Sequence, residues 1–486
     1  MSEYKEALLK KVYYENCPGC KVDQRKEAGG VPYKELCFVF FVLLCAALPI
    51  SSIFPFLYFM IRDLHVAERE EDIGYYAGYV GSAFMFGRAL TSVFWGVVAD
   101  RYGRKRAIMI GTITMVIFNI LFGLSTCFWM AVVTRFLLGS MNGFLGPIRA
   151  YASEICRKEY QTLGLSTVST SWGIGLIIGP ALGGLLAQPA EKYPNIFSKE
   201  SLFGRFPYLL PCLIISIFAM GATIVSSWLP ETLHIHNEDY TEGHCTVDDH
   251  DMESPLNVSD AKEKSEEIKQ EPPSKKSLLK NWPLMSSLIA YGIFSLHDMA
   301  YTEIFSLWAV SPRKFGGLSY STKGVGEVLA VSGFGLLIFQ MFVYPRVSNV
   351  VGPIIVSRIF AILSIPLLSS YPFIAMLSGS TLALLITCAS VLKNVFSVSI
   401  TTGLFLLQNN AVPQHQRGAA NGISLTAMSL FKAVGPAVGG AVFSWAQNRQ
   451  DASFLPGDHM VFFILNVIEG IGLLMTFKPF LAQPSI

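Results

Sequence analysis

Twelve apolar stretches of about 20 residues each, with almost no charge inside them, constrain this sequence more than any other feature. Only 15% of the 486 residues are charged, against roughly 25% in soluble domains. A helix of about 20 apolar residues crosses a bilayer and satisfies its own backbone hydrogen bonds there. The pattern excludes a soluble enzyme, a disordered chain and a nucleic-acid-binding protein. It predicts an all-α membrane protein. The predicted spans 1 to 12 cover residues 36–61, 75–99, 106–125, 128–150, 163–187, 206–229, 284–311, 325–345, 353–371, 381–411, 418–446 and 459–478.

The loops between the spans predict the orientation of the chain. Lys and Arg gather after span 2, at 101–106, and after span 4, at Arg157 and Lys158, whereas the loop between spans 1 and 2 is acidic. Because basic loops stay in the cytosol, we expect the N-terminus, the C-terminus and the loops after even-numbered spans to be cytosolic. The polar first 35 residues predict no cleavable signal peptide.

The charge distribution also divides the chain into five parts. A cytosolic tail (1–35) contains Cys17-Pro18-Gly19-Cys20, and a first bundle of six helices (36–230) follows it. An acidic, His-rich segment (231–283) cannot build a core and is predicted to be a cytosolic linker. A second bundle of six helices (284–478) and a cytosolic tail (479–486) complete the chain.

An internal repeat relates the two bundles. Gly179-Pro180-Ala181-Leu182-Gly183-Gly184 in span 5 recurs 256 positions later as Gly435-Pro436-Ala437-Val438-Gly439-Gly440 in span 11. Near-identity at equivalent places predicts a duplication. Two parallel halves of six helices are the architecture of a secondary transporter that rocks around a central site.

Three motifs resemble the major facilitator superfamily. The segment 96–106, Gly-Val-Val-Ala-Asp-Arg-Tyr-Gly-Arg-Lys-Arg, resembles its loop 2–3 motif, and Arg135-Phe-Leu-Leu-Gly139 resembles its motif in the fourth span. The segment 172–184, with Gly173, Gly175, Gly179, Pro180, Gly183 and Gly184, resembles the fifth-span motif of the proton-antiporting branch. The resemblance covers all twelve spans and implies the major facilitator fold.

Two short motifs resemble a narrower group. Cys17-Pro18-Gly19-Cys20 and Pro230-Glu231-Thr232-Leu233-His234 are similar to segments of the plant zinc-induced facilitator group. This resemblance implies a carrier in the vacuolar membrane that moves the metal chelator nicotianamine into the vacuole in exchange for protons. The plasma membrane is the alternative location.

The two larger motifs have physical interpretations of their own. Gly96 and Gly103 permit close approach and a tight turn, and the charges of Asp100, Arg101, Arg104 and Lys105 can cap a helix or pair across the bundle, which would latch the cytosolic side. A simple positive anchor is the alternative. In span 5, the glycines provide a small-residue face for close helix packing, and Pro180 bends the helix.

Ionisable residues inside spans are expected to face a cavity or a partner, because each costs roughly 2.5–3.5 kcal/mol at the centre of a bilayer-spanning helix. Their basic excess favours an anionic or zwitterionic substrate over a bare cation such as Zn²⁺. The seven candidates for substrate binding or proton coupling are Arg88, Arg135, His297, Asp298, Glu303, Lys393 and Lys432.

Individual roles follow from position. Asp298 and Glu303 are about 140° apart around a helix and are not expected to face the same way. Asp298 is the better partner for a buried base, and Glu303, nearer the lumenal end, is the candidate proton carrier. His297 is a candidate relay. A structural ion pair or an interfacial position is the alternative for each.

Cysteine and histidine residues on the cytosolic side suggest weak zinc binding. Cys17 and Cys20 supply half of a zinc site, and a disulfide is not expected in a reducing compartment. The linker residues His234, His236, His244 and His250 match no tetrahedral spacing, so a loose zinc buffer and a merely solvated acidic linker remain open.

No nucleotide-binding loop or hydrolase triad is present in the sequence. We therefore expect no enzyme and no cofactor. The expected partners are a small organic substrate, protons and the lipid bilayer around a monomer. The first hypothesis is a proton-coupled antiporter of a carboxylate-bearing chelator. The alternatives are an exporter of another organic anion or hormone, and a zinc sensor or scaffold with a transporter fold.

Overall fold

The computed structural model of the protein describes residues 13–14, 16–157, 160–234, 278–412 and 417–481. Over these residues the regular structure is helical. A short polar helix, Pro18–Ala28, precedes the membrane-spanning helices. Each predicted span coincides with one helix or with two or three consecutive helical pieces, which confirms an all-α fold of twelve spans in two halves.

The bounds of the spans differ from the predicted ones by a few residues. In the first half, spans 1 to 6 are Tyr33–Ser51 with Leu57–Asp63, Ile73–Tyr102, Arg104–Gly123, Phe128–Met141 with Leu145–Glu154, Gln161–Leu186 and Leu209–Ser227. In the second half, spans 7 to 12 are Trp282–Val310, Thr322–Val351 in three consecutive pieces, Pro353–Ala375, Gly379–Asn410, Arg417–Gln447 and Asp458–Met475.

Three spans are interrupted where the sequence analysis expected continuous helices. Span 1 breaks after Ser51, because Pro55 has no N–H to donate to the Ser51 carbonyl. Span 4 breaks at Asn142 and Gly143, just before Pro147. In span 8 the stretch Phe339–Val343 is a π-helix. It precedes Pro345, whose missing N–H disturbs the regular hydrogen-bond ladder.

Ten of the described helices are long and apolar enough to cross a membrane by length and composition. Span 5, Gln161–Leu186, contributes the apolar stretch Thr170–Leu186. Span 7 is absent from the ten because His297, Asp298 and Glu303 lower its mean hydropathy. The helix that carries three of the seven candidate ionisable residues is thus one that hydropathy and length alone do not identify.

Glycine packing within each half reflects the internal repeat. In span 5, a methyl group placed on Gly179 would lie 1.9 Å from Ser51 Oγ, and one on Gly183 would lie 1.9 Å from the Ser52 carbonyl oxygen. In span 11, Gly435 and Gly439 pack in the same way against the neighbouring residues Met299 and Ala300 of span 7. Each glycine pair therefore holds the motif helix against the first helix of its own half.

The next glycine of each motif packs against the other half. Gly184 of span 5 meets Gly326 of span 8, where an added methyl group would lie 2.8 Å from the Gly326 Cα. Gly440 of span 11 meets Gly74 and Gly78 of span 2, and a methyl group on Gly440 would lie 2.2 Å from the Gly74 carbonyl oxygen. The two halves thus meet at two equivalent crossings, as the expected small-residue face requires.

The two crossings lie on one face of the molecule, and the N-terminal helix lies on the other. The N–H of Gly19 donates to the Leu233 carbonyl at 3.1 Å, and the loop after span 2 contacts Glu231. We call this side the N-terminal face and the side with the glycine crossings the opposite face.

Replacing Gly184 with valine should weaken the crossing between spans 5 and 8, because a Cβ there would lie 2.6 Å from the Thr322 carbonyl oxygen. Overpacking of this kind costs about 1–3 kcal/mol, so thermal unfolding of the purified protein in detergent should shift to a lower temperature. Gly173→Val is the matched control in the same helix, since nothing lies within 4 Å of a Cβ at Gly173. Equal destabilisation by the two variants would contradict the packing role of Gly184.

Candidate substrate site, buried charges and gates

A cluster of basic side chains lies between the two halves. Arg88 of span 2 and Arg149 of span 4 repel each other and also repel Lys432 of span 11. Asp298 of span 7 attracts Lys432. Arg149, Asp298 and Lys432 are half-buried, so the group is partly accessible to solvent. We call these four residues the basic cluster.

Three bases against one carboxylate give the basic cluster a positive potential. Tyr291 of span 7 also lies close enough to interact with Arg149 and Asp298, and it places a hydroxyl group beside the basic cluster. Because partly dehydrated positive charges attract anions strongly, the cluster can hold a carboxylate-bearing ligand in contact with both halves. The sequence analysis expected Arg88, Asp298 and Lys432 to line a cavity, and the structure brings these three together.

Glu303 lies elsewhere, at a junction of three spans. Its side chain is 1% exposed, and a methyl group placed on Gly81 of span 2 would lie 3.1 Å from its Oε2 and 3.0 Å from Pro436 Cβ of span 11. Neither carboxylate oxygen accepts a hydrogen bond from the part of the chain that the structure describes. Burying an unpaired charge is costly, and protonation removes that cost.

Arg135 of span 4 is held within the first half. Its Nη1 donates to the Pro49 carbonyl at 2.8 Å, and its guanidinium lies 4.9 Å and 5.3 Å from the ring centroids of Phe84 and Phe122. It also attracts Glu303 of the second half electrostatically. Arg135 therefore holds the end of the first helix of span 1, next to the break. Its charge also attracts Glu303 across the interface between the two halves.

His297 and Lys393 belong to a buried group in the second half. His297 Nδ1 lies 2.9 Å from Glu469 Oε2 of span 12, and Lys393 Nζ lies 3.8 Å from the same oxygen. Lys393 Nζ also donates to Ser397 Oγ at 2.7 Å. All three ionisable side chains are at most 1% exposed. We call them the buried triad, and their pairing favours the structural alternative for His297 and Lys393.

The charged loop after span 2 is paired inside the first half. Arg104 bonds Asp100 and also pairs with Glu154 at the end of span 4, where its Nη2 lies 2.9 Å from Oε1. Glu231 accepts the backbone N–H groups of Arg104 and Lys105 at 2.9 Å and 3.2 Å. A carboxylate at this position caps the first turn of span 3. Of the other motif residues, Arg101 is exposed, and Gly103 has a φ of 110° that favours glycine.

On the opposite face, side chains join the halves around the glycine crossings. Lys192, in the loop after span 5, donates to the Gly184 carbonyl at 2.6 Å and also bonds the Thr322 hydroxyl of the other half. Burial lowers the pKa of Lys192 to about 8, so its ammonium is the main form at neutral and acidic pH. An exposed ion pair joins Lys314 Nζ to Glu70 Oε2 at 2.9 Å.

The structure brings together three of the residues considered for metal binding. Cys17, Cys20 and His234 each offer a ligand atom, and these atoms lie within 4.8 Å of one another. His236, His244 and His250 lie outside the described residues. The sequence spacing alone did not indicate this cluster, because 214 positions separate Cys20 from His234.

The predicted set omitted several ionisable residues within the spans, and three of these are buried or half-buried. Glu469 completes the buried triad and Arg149 belongs to the basic cluster, while Arg358 of span 9 donates to the Thr476 carbonyl at 2.5 Å. Each is a charged residue within an otherwise apolar span, and that pattern could have identified it from the sequence. Including them leaves the basic excess in place.

Comparison with known proteins agrees with this architecture. The sequence matches the Major Facilitator Superfamily over residues 39–436. In structure, the chain is similar to a D-xylose–proton symporter, with a TM-score of 0.67 and 12% sequence identity over 92% of this chain and 97% of that one.

Two relatives from Arabidopsis thaliana are much more similar in sequence. The chain is 61% identical to protein zinc induced facilitator-like 1, with 99% of each chain covered. It is 60% identical to protein zinc induced facilitator 1 over 99% of this chain and 98% of the relative. The fold and the sites between its halves define a multi-pass membrane transporter, which is not an enzyme. The chain belongs to the major facilitator superfamily and, within it, to the plant zinc-induced facilitator-like proteins.

Replacing Glu469 with glutamine should destabilise the second half strongly. Lys393 would keep a buried ammonium without its carboxylate, and breaking a buried ion pair from one side costs about 3–5 kcal/mol. Denaturant unfolding in detergent measures the loss, and Lys393→Met combined with Glu469→Gln should recover part of it. Glu327→Gln is the control, because that carboxylate pairs with Lys323 on the exposed surface. An unchanged stability of Glu469→Gln would refute the pairing.

Proposed function

We propose that the protein is a proton-coupled antiporter that moves a carboxylate-bearing metal chelator, nicotianamine-like in chemistry, from the cytosol into the vacuole. In this proposal the N-terminal face is cytosolic and the opposite face is lumenal. Zinc sequestration follows, since a chelator accumulated in the vacuole retains the metal there and so contributes to zinc and iron homeostasis.

The charge of the basic cluster is the observation that carries the proposal. Arg88, Arg149 and Lys432 face one carboxylate, Asp298, at the interface of the halves. A free divalent cation would meet net repulsion there, whereas a carboxylate would gain charge-assisted contacts with both halves. A zwitterionic chelator adds amino groups that can donate hydrogen bonds to Asp298. Contact with both halves lets the substrate favour one arrangement of the halves over another.

Proton coupling is assigned to Glu303. Its carboxylate belongs to the second half but contacts Gly81 of the first half, and its charge attracts Arg135. The ionised form thus links the halves electrostatically, and the protonated form releases that link. Because the group is buried without a hydrogen-bond donor among the described residues, its protonation state depends on access to water from one side or the other.

The names of the two Arabidopsis relatives support a role in zinc physiology. They do not identify a transported molecule, and the charge argument selects a chelator over the free ion. Transport of another organic anion or hormone is the competing outcome of the assay below, and the vacuolar membrane is proposed over the plasma membrane.

Uptake into proteoliposomes with an imposed pH gradient tests the function directly. Nicotianamine, citrate and Zn²⁺ are offered separately, with protein-free liposomes as the control. We expect gradient-driven accumulation of nicotianamine that a protonophore abolishes. Movement of free Zn²⁺ without chelator would contradict the charge argument, and accumulation of citrate alone would favour the competing organic anion.

Replacing Glu303 with glutamine should separate coupling from transport. The neutral side chain keeps the packing at Gly81 but cannot release a proton, so gradient-driven uptake should fall at least tenfold while counterflow exchange of substrate persists. Glu327→Gln, an exposed carboxylate on span 8, should behave as wild type. Gradient-driven uptake at the wild-type rate in Glu303→Gln would exclude Glu303 as the proton carrier.

Replacing Lys432 with methionine should weaken substrate binding. A charge-assisted contact contributes about 1.5–3 kcal/mol, so the KM for the anionic substrate should rise by roughly tenfold or more, with a smaller effect on the maximal rate. Lys323→Met on the exposed end of span 8 serves as the control. A KM equal to that of wild type would remove Lys432 from the binding site.

A further inference from the structure

A cluster of soft metal ligands lies on the N-terminal face, outside the proposed transport site. Cys17 is the residue before the N-terminal helix, and Cys20 lies in its first turn. Their side chains meet His234, just after span 6. Cys17 Sγ and Cys20 Sγ each lie 3.8 Å from His234 Nδ1. Both thiols are buried, whereas His234 is exposed.

These distances fit a tetrahedral metal ion. With Zn–S bonds of about 2.3 Å and Zn–N bonds of about 2.0–2.1 Å, tetrahedral geometry separates sulfur from nitrogen by roughly 3.6 Å. The two separations of 3.8 Å are therefore close to those of a bound site. Two thiolates and one imidazole are the ligands that Zn²⁺ prefers. The His234 side chain is 46% exposed, so solvent has access to this side of the cluster. In a tetrahedral site a water molecule would serve as the fourth ligand.

Two neighbouring residues are arranged around the histidine ring. Asp23 Oδ2 lies 3.6 Å from His234 Nε2, the nitrogen that faces away from the thiols. A carboxylate at that nitrogen orients the ring and selects the tautomer whose other nitrogen can bind a metal. Gly19 makes room for the ring, because a Cβ at this position would lie 2.8 Å from its carbon atoms.

We propose that Cys17, Cys20 and His234, oriented by Asp23, form a Zn²⁺ site that fastens the N-terminal helix to the segment after span 6. This site is distinct from the proposed transport pathway, and its metal is a bound ligand rather than cargo.

The surroundings connect the proposed site to the charged loop after span 2. Asp23 and His234 line a cavity of about 320 Å³ together with Asp100, Arg104 and Glu154. The segment that carries His234 also carries Thr232, which donates to Glu154 Oε2 at 2.6 Å. Glu231 of the same segment caps span 3. Metal binding therefore restrains the residues that hold this loop, and zinc in the cytosol acts on the N-terminal face of the first half.

Cobalt spectroscopy on the full-length protein tests the site. Protein purified in detergent is reduced, freed of metal by chelation and titrated with Co²⁺, which reports thiolate ligation by near-ultraviolet charge-transfer bands and tetrahedral geometry by visible bands. We expect one Co²⁺ per chain with both signatures, displaced by Zn²⁺. We also expect Zn²⁺ to raise the unfolding temperature of this protein.

Variants of the ligands and of matched residues separate this site from other donors. Cys17→Ser with Cys20→Ser should lose the charge-transfer bands, His234→Ala should weaken binding at least tenfold, and Asp23→Asn should weaken it 10–100-fold. Gly19→Ala should weaken binding with all ligands present, because its methyl group displaces the His234 ring. The control replaces the exposed cysteines Cys37, Cys127 and Cys388 with serine. A second control replaces His236, His244 and His250 with serine.

The outcomes distinguish this proposal from the proposed function. Charge-transfer bands that persist without Cys17 and Cys20, or that disappear in the second control, would overturn the assignment, as would their absence from folded wild-type protein. Glu303→Gln should bind Co²⁺ like wild type even though its gradient-driven uptake is lost. A protein that binds the metal as described but transports no chelator would refute only the transport proposal.

Discussion

Every ionisable side chain inside the bundle must be paired, hydrated or neutralised, because an isolated charge in a bilayer-spanning helix is costly. The buried triad, the basic cluster and Glu303 each show one of these three ways of accommodating a charge. The buried triad pairs Glu469 with two bases inside one half. Three of the four charges of the basic cluster are half-buried, where water reaches them. Glu303 has neither a hydrogen-bond donor among the described residues nor exposure, which leaves protonation as its route to neutrality.

This division separates rigid parts from parts that can change. The pairing of Glu469 with His297 and Lys393 stabilises one arrangement of spans 7, 10 and 12. All three residues belong to the second half, so a movement of the halves relative to each other does not require these pairs to break. Groups at the interface of the halves are different, because their neighbours change when the halves move. The basic cluster and Glu303 both lie where the two halves meet, so in the proposed function substrate and proton act on the same motion from separate positions.

The sequence predicted the spans well and the side-chain partners poorly. Apolar length locates a membrane helix regardless of its neighbours, so the spans agreed with the structure to within a few residues. The breaks after Ser51 and Met141 were missed, because a hydropathy pattern does not record which backbone carbonyl a proline leaves without a donor. Partners are set by tertiary contact: Glu469 binds His297 across 172 positions of sequence, and no local pattern joins Cys20 to His234. The duplication was the exception, since matching motifs in spans 5 and 11 correctly indicated equivalent packing.

The two glycine crossings bear on how the protein is made. Spans of the first half enter the membrane before those of the second half are synthesised. Until span 8 arrives, the surface at Gly184 has no partner, and the groove at Gly74 and Gly78 stays uncovered until span 11 is in place. The first half thus passes through a stage in which its glycine surfaces for the second half face lipid or the insertion machinery. Mutations at these glycines would therefore reduce the yield of correctly assembled protein before any transport cycle begins.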